Sequence, residues 1–227
     1  MRRATQLSVK QEGMRDPTSV REELSRVYWV GGGSCAGKSS VARRLADRYG
    51  LHLYATDDAM TEHARRSTPE DSSLLREFIK MGMDERWVNR SPATMLETFH
   101  WFRGEAFTLI VDDLLRMRAD VRVIVEGFRL LPHLVKPLLS ASNHAVWLLP
   151  SPEFRETVME RRGGWRSGFL AKTSNPQLAL QNVLERDRMS TDRLRREILH
   201  LELGAIEVDL ALNEAGVARS IAEMFGF

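Results

Sequence analysis

Five short apolar runs are spaced along the chain, and each stops at a polar or turn-forming residue. Val27-Tyr28-Trp29-Val30 runs into glycines, Leu51-His52-Leu53-Tyr54-Ala55-Thr56 ends at Asp57-Asp58, and Val121-Arg122-Val123-Ile124-Val125 ends at Glu126-Gly127. Ala145-Val146-Trp147-Leu148-Leu149 stops at Pro150, and Ala205-Ile206-Glu207-Val208-Asp209 precedes a last helical stretch through Phe225. Runs of this length, rich in β-branched and aromatic residues and bounded by breakers, predict strands. Between them apolar residues recur at helical spacing, as at Val41, Ala42, Leu45, Ala46 and Tyr49. Alternating strands and helices predict an α/β fold, a parallel sheet of five strands flanked by helices. Ligands of such sheets bind outside the carboxyl ends of the strands, so Asp57, Asp58, Glu126 and the glycines after Val30 are expected to face one cleft.

The residues after the first run sharpen this expectation. Gly32-Gly33-Ser34-Cys35-Ala36-Gly37-Lys38-Ser39 is a complete G-x-x-x-x-G-K-S, and it lies between a predicted strand and a predicted helix, where its amides and the helix N-terminus converge on one anion. The pattern needs small residues so that successive N–H groups turn inward around nucleotide phosphates. It also needs a lysine for the β/γ oxygens and a hydroxyl for Mg²⁺. Gly32 to Ser39, with Ser40 as a cap or α-phosphate contact, are therefore the expected nucleotide-binding residues. ATP and Mg²⁺ are the expected cofactors.

Two connections are too long for simple crossovers. Residues 59 to 120 predict a polar helix, a loop around Trp87 and Arg90, a helix start at Ser91-Pro92, and one long helix from about 93 to 118. This segment is expected to cap the acceptor. Residues 153 to 200 predict arginine-rich helices around a flexible Gly163-Gly164, with the character of a lid. Residues 21 to 227 then form one domain, and residues 1 to about 20, polar and without a signal-peptide core, a flexible arm.

Composition adds mainly exclusions. Thirty-three basic residues against 31 acidic leave a formal net charge of +2, which demands neither nucleic acid nor an anionic membrane as partner. Cys35 is the sole cysteine, so no intrachain disulfide can form and a cytoplasmic setting is the natural expectation. The six histidines have no metal-ligand spacing.

With these residues in view, the chain resembles the P-loop small-molecule and nucleotide kinases over roughly residues 26 to 227. Val123-Ile124-Val125-Glu126-Gly127 is similar to the hydrophobic-Glu-Gly segment of uridine-kinase-like and phosphoglycerate-kinase-like P-loop proteins. Thr56-Asp57-Asp58 is similar to the acidic end of the second strand in chloramphenicol phosphotransferase, gluconate kinase and shikimate kinase. Those families place there the carboxylate that takes the proton of the acceptor hydroxyl. The resemblance implies a P-loop NTPase fold and phosphoryl transfer from ATP to a hydroxyl of a small molecule such as a metabolite, nucleoside or antibiotic. The 59 to 120 segment matches none of these families, so no particular substrate is implied.

Phosphoryl transfer asks for alignment and charge neutralisation, and roles follow. Lys38 neutralises phosphate charge, and Ser39 with Glu126 is expected to hold Mg²⁺. Adjacent side chains on an extended segment point opposite ways, so one of Asp57 and Asp58 faces the transfer. The resemblance favours Asp57 as base, leaving Asp58 to cap the next helix or touch the acceptor; alternatively both cap a helix beginning at Ala59. Glu126 is a further candidate base, or half of an ion pair with a nearby arginine. Among Arg155, Arg161, Arg162 and Arg166 of the lid, Arg161 and Arg162 are the expected catalytic cations, while Arg186 and Arg188 brace the following helix or line the nucleotide base. Arg90, Arg103 and Glu105 are the polar candidates for gripping the acceptor; Trp87, Trp101 and His100 read more readily as packing. A nucleotide-hydrolysing or nucleotide-sensing switch with a protein partner is the competing class, although such proteins usually end the third strand in Asp where this chain has Glu126.

Overall fold

The computed structural model describes residues 16–227. The strands are β1 (Val27–Gly32), β2 (His52–Ala55), β3 (Val123–Glu126), β4 (Ala145–Pro150) and β5 (Gly204–Val208). They form one all-parallel sheet in the order β2-β3-β1-β4-β5. The helices are α1 (Pro17–Glu23), α2 (Lys38–Tyr49), α3 (Met60–Arg66), α4 (Ser73–Lys80), α5 (Met83–Trp87), α6 (Pro92–Thr98), α7 (Phe107–Arg116), α8 (Pro132–Val135), α9 (Pro152–Arg161), α10 (Pro176–His200) and α11 (Glu214–Phe225).

Both faces of the sheet are buried, which is why its strands read as continuous apolar runs rather than as alternation. Tyr28, Val30, Ile124, Val146 and Leu148 pack against Val41, Ala42 and Leu45 of α2 and Ile221 and Phe225 of α11. Val27, Trp29, Val123, Val125, Trp147 and Leu149 face the other way, toward Ile110 and Leu114 of α7 and Leu194 and Ile198 of α10. After β1 the chain passes to the sheet edge for β2 and returns to place β3 beside β1. The reversal opens a crevice at the carboxyl ends of the two strands.

One sequence expectation needs correction. The long helix from 93 to 118 is instead α6, a 3₁₀ turn at His100–Arg103 and then α7. Gly104 (φ 80°) and Ala106 (φ 60°) both take the left-handed conformation, which no α-helix can continue through. The break buries Trp101 and Ala106 in a small cluster with Leu75, while α7 turns Ile110 and Leu114 into the main core. The expected N-terminal arm lies outside the described residues as far as residue 15. Beyond that, α1 starts at Pro17 and is tied down by Arg21, whose guanidinium donates to the Pro137 carbonyl at 3.1 Å. No helix among the described residues is long and apolar enough to cross a membrane.

Candidate active site

β1 ends in glycines because nothing larger fits. A Cβ on Gly32, whose φ is 125°, would sit 2.1 Å from the Leu148 carbonyl oxygen of β4. The Gly33 N–H donates to that same oxygen at 2.9 Å, fixing where the loop leaves the sheet. Gly37, with φ 82°, is the N-cap of α2 and supplies no side-chain cap. The first amides of a helix have no intrahelical partner, so those of Lys38, Ser39 and Ser40 open at the positive end of a 12-residue helix. Lys38 folds back over the loop and donates from Nζ to the Gly33 carbonyl at 2.7 Å. It is only 8% exposed. Burial lowers its pKa, and Glu126, then Asp57, oppose the shift.

Glu126 closes β3, opposite Val30 on β1 and Ala55 on β2, and is 2% exposed. Burial raises its pKa, while Lys38 and the Ser39 hydroxyl pull it down. Asp57 lies just past β2 and lines the same cleft, open to solvent yet crowded enough for desolvation to raise its pKa against Lys38 and Arg129. Asp58 does not line the cleft. Neither aspartate caps a helix: α3 starts at Met60, its N-cap is Ala59, and no side chain bonds to its first turn. The capping role expected for one or both is thereby overturned, because the residues after β2 form a turn that separates the carboxylates from the helix.

The cleft encloses about 330 Å³ between the loop, Asp57 and Glu126 on one side and Phe128, Met159, Phe169, Val183, Arg186 and Asp187 on the other. Arg162 borders it, with Nη1 3.9 Å from Cys35 Sγ. Cys35 itself has its thiol pKa raised by burial, with Arg162 opposing. Arg161 lines a neighbouring recess across the loop, with Phe154, Val158, Leu212 and Asn213. Arg155, by contrast, is buried and donates to Thr191 Oγ1 at 2.5 Å, bracing α9 on α10. Arg166 stacks on its neighbour Trp165.

The expected acceptor grip does not assemble. Arg90 donates to the Glu85 carbonyl at 3.0 Å and Thr98 Oγ1 at 2.8 Å, joining α5 to α6. Arg103 pairs with Glu97 at 3.3 Å beside a separate recess lined by Leu96 and His133. Glu105 accepts the N–H groups of Leu74 at 2.8 Å and Leu75 at 2.9 Å, serving the exposed amides at the start of α4. None of the three lines the cleft. Each charge is satisfied by backbone or by a neighbouring side chain, partners that a sequence does not display.

Arg186 and Asp187 line the cleft instead. Arg186 Nε and Nη2 donate to Asp187 Oδ1 at 2.9 and 2.7 Å. Its guanidinium carbon lies 5.4, 5.0 and 5.3 Å from the ring centres of Trp87, Phe99 and Phe102. A signal for the pair existed. The buried stripe of α10 runs Ala179, Val183, Arg186, Asp187, Ser190, Thr191, Leu194, Ile198, and charged residues on the apolar face of a helix mark a polar function in the core.

Behind Asp57 lies a second polar group that the sequence did not suggest. Arg129, buried, donates from Nη1 to the Thr56 carbonyl at 3.3 Å and to His63 Nδ1 at 2.9 Å. His63 Nε2, Tyr54 and Arg66 converge on Asp113 at 2.7, 2.8 and 2.6 Å. Burial alone raises the Asp113 pKa, but those donors outweigh it and bring it to about 2. Burial also brings Arg129 down to about 10. The network fixes the end of β2, and with it the turn that carries Asp57.

A five-stranded parallel sheet in this order, with a G-x-x-x-x-G-K-S loop joining its central strand to the next helix, is the P-loop NTPase fold. No family model and no curated protein sequence matches this chain. Among solved structures it is similar to a gluconokinase from Sinorhizobium meliloti 1021, at 20% identity and a TM-score of 0.43 over 88% of this chain and 90% of that one. It is also similar to an uncharacterized protein from Eubacterium ventriosum ATCC 27560, at 13% identity and 0.42 over 88% and 97%. Likeness at this level carries no argument about activity, so the functional reading rests on the cleft itself.

Proposed function

We propose that this chain is an ATP- and Mg²⁺-dependent kinase that phosphorylates a hydroxyl of a small molecule. One observation carries the reading: a lysine-bearing phosphate loop and two carboxylates with raised pKa values, Asp57 and Glu126, line one side of a cleft whose other side is open for a second reactant. In this reading the amides of Ser34 to Ser40 hold the phosphate chain and Lys38 neutralises its terminal charge. Arg162 meets the phosphates from the lid side, and Arg161, with its recess, adjoins the nucleotide's other end.

Ser39 and Glu126 are the residues that would hold Mg²⁺. A hydroxyl and a buried carboxylate form an all-oxygen donor set suited to a hard cation that keeps several waters. When bound, Mg²⁺ neutralises charge on the transferring phosphoryl group. Asp57 accepts the proton of the acceptor hydroxyl. Its pKa, raised by desolvation against the pull of Lys38, makes it a stronger base than an ordinary aspartate.

The test is ADP release measured with Mg·ATP alone and with a panel of hydroxyl compounds. The kinase reading expects release to rise at least tenfold with one acceptor and a phosphorylated product to appear in equal amount. Hydrolysis that no acceptor stimulates favours the switch class instead.

A further inference from the structure

The half of the cleft facing the loop is built mostly of carbon. Phe128 follows Glu126 by two residues, Val183 projects from α10, and Phe169 packs against Trp87 in a tilted pair with ring centres 4.6 Å apart. Phe169 is nonetheless 40% exposed. A phenyl ring held by a neighbour and left open at a cleft mouth is surface available to a ligand. The polar exceptions are Arg186 and Asp187, both buried. Three aromatic rings surround the Arg186 guanidinium, Asp187 takes the Nε and Nη2 edge, and Nη1 has no hydrogen-bond partner among the described residues. At 6% exposure that N–H group is cut off from bulk water, and an unmade bond from a buried cation is costly.

Resting on the kinase reading above, we infer that the acceptor carries its hydroxyl on a flat aromatic or heteroaromatic body, with one carbonyl or anionic oxygen that meets the Arg186 side chain where it lines the cleft. Nucleosides and aryl alcohols have this chemistry. Sugars, sugar acids and polyols do not: their ring of hydroxyls would leave water for a wall offering one guanidinium edge and one carboxylate, and each unmatched hydroxyl carries a desolvation cost there.

The experiment compares two acceptor sets at equal concentration with Mg·ATP: uridine, thymidine, adenosine and chloramphenicol against gluconate, glucose, glycerol and shikimate. Both ADP release and phosphorylated product are followed. The expected result is a kcat/KM for at least one aromatic compound roughly a hundredfold above the best of the second set, the discrimination a polar-for-apolar mismatch produces. Preference for a sugar, sugar acid or polyol overturns the inference and leaves the kinase reading intact. Acceptance of neither set, with Mg·ATP bound, overturns both.

With the preferred acceptor, Phe169→Leu should raise its KM roughly tenfold while the KM for ATP moves less than twofold. Phe169 lies at the rim, so the variant keeps its core. Arg186→Met should raise the acceptor KM similarly, with Arg186→Lys recovering part of the loss. An unchanged acceptor KM in Phe169→Leu, with the melting temperature held, also overturns the inference.

Discussion

The two halves of the cleft are built by different means. The loop, α2 and the ends of β2 and β3 form a wall in which the functional groups sit next to the backbone features that aim them: Lys38 starts the helix whose amides it accompanies, and Glu126 ends the strand beside β1. The opposite wall takes Phe128, Phe169, and Val183 with Arg186 of α10 from three separate stretches, brought together by packing on α10. One wall follows from local chain geometry. The other exists only after the tertiary structure forms.

The largest effect that would break this contrast is at Asp57. Asp57→Asn should lower kcat by roughly 10²- to 10⁴-fold, the usual contribution of a positioned base, with calorimetric affinity for Mg·ATP near wild type. Since burial raises the pKa of Asp57 above its ordinary 3.8, wild-type kcat should fall on acidification at a pH above that value, as the base is protonated. Next, Lys38→Ala should reduce turnover by roughly 10²- to 10³-fold, as for loss of one group that stabilises developing charge. A variant with unchanged turnover and Mg·ATP affinity would show that the loop is not the phosphate site.

Smaller effects probe the scaffold. Asp113→Asn removes the acceptor for Tyr54, His63 and Arg66, and should cost about 1–2 kcal/mol at pH 7, allowing for partial solvent screening. Because the folded-state pKa is depressed, from 3.8 to about 2, that stability is present above pH 3.8 and is lost as pH falls toward 2. Urea titrations at pH 7 and pH 3 should therefore show the difference from wild type shrinking. Glu105→Ala should cost about 1 kcal/mol through the uncapped start of α4, with the KM for ATP unchanged. Smallest of all, Asp58→Asn should leave melting temperature and kcat near wild type, since its carboxylate neither caps α3 nor lines the cleft.

Much of the first wall was legible because its signals are local. Five apolar runs marked the five strands to within two residues at either end, their burial on both faces making each run continuous. The loop motif carried its own geometry, and of the Asp57-Asp58 pair at the strand end it is Asp57, the one the resemblance favours, that lines the cleft. The second wall was misread for a physical reason. Arg90, Arg103 and Glu105 look like free charges in a sequence, yet a backbone carbonyl, a carboxylate on α6 and two amides at a helix start satisfy them in turn. The buried position of Arg186 is not displayed by its sequence neighbours, which suggest an ordinary charged helix, because its surroundings come from Trp87, Phe99 and Phe102, more than eighty residues upstream. The break at Gly104 and Ala106 was hidden by good helical periodicity on both sides.

The bond from Lys38 to the Gly33 carbonyl has a consequence for how nucleotide binding responds to the rest of the molecule. The ammonium has already shed most of its water and lies inside the loop before any phosphate arrives, so folding rather than association supplies the ordering. Preorganisation of this kind makes affinity hostage to rigidity elsewhere. A change that loosens the seating of α2 on α11, for instance at Leu45 or Ile221 in their shared core, would let the lysine drift toward solvent and weaken phosphate binding from a site that never touches the ligand.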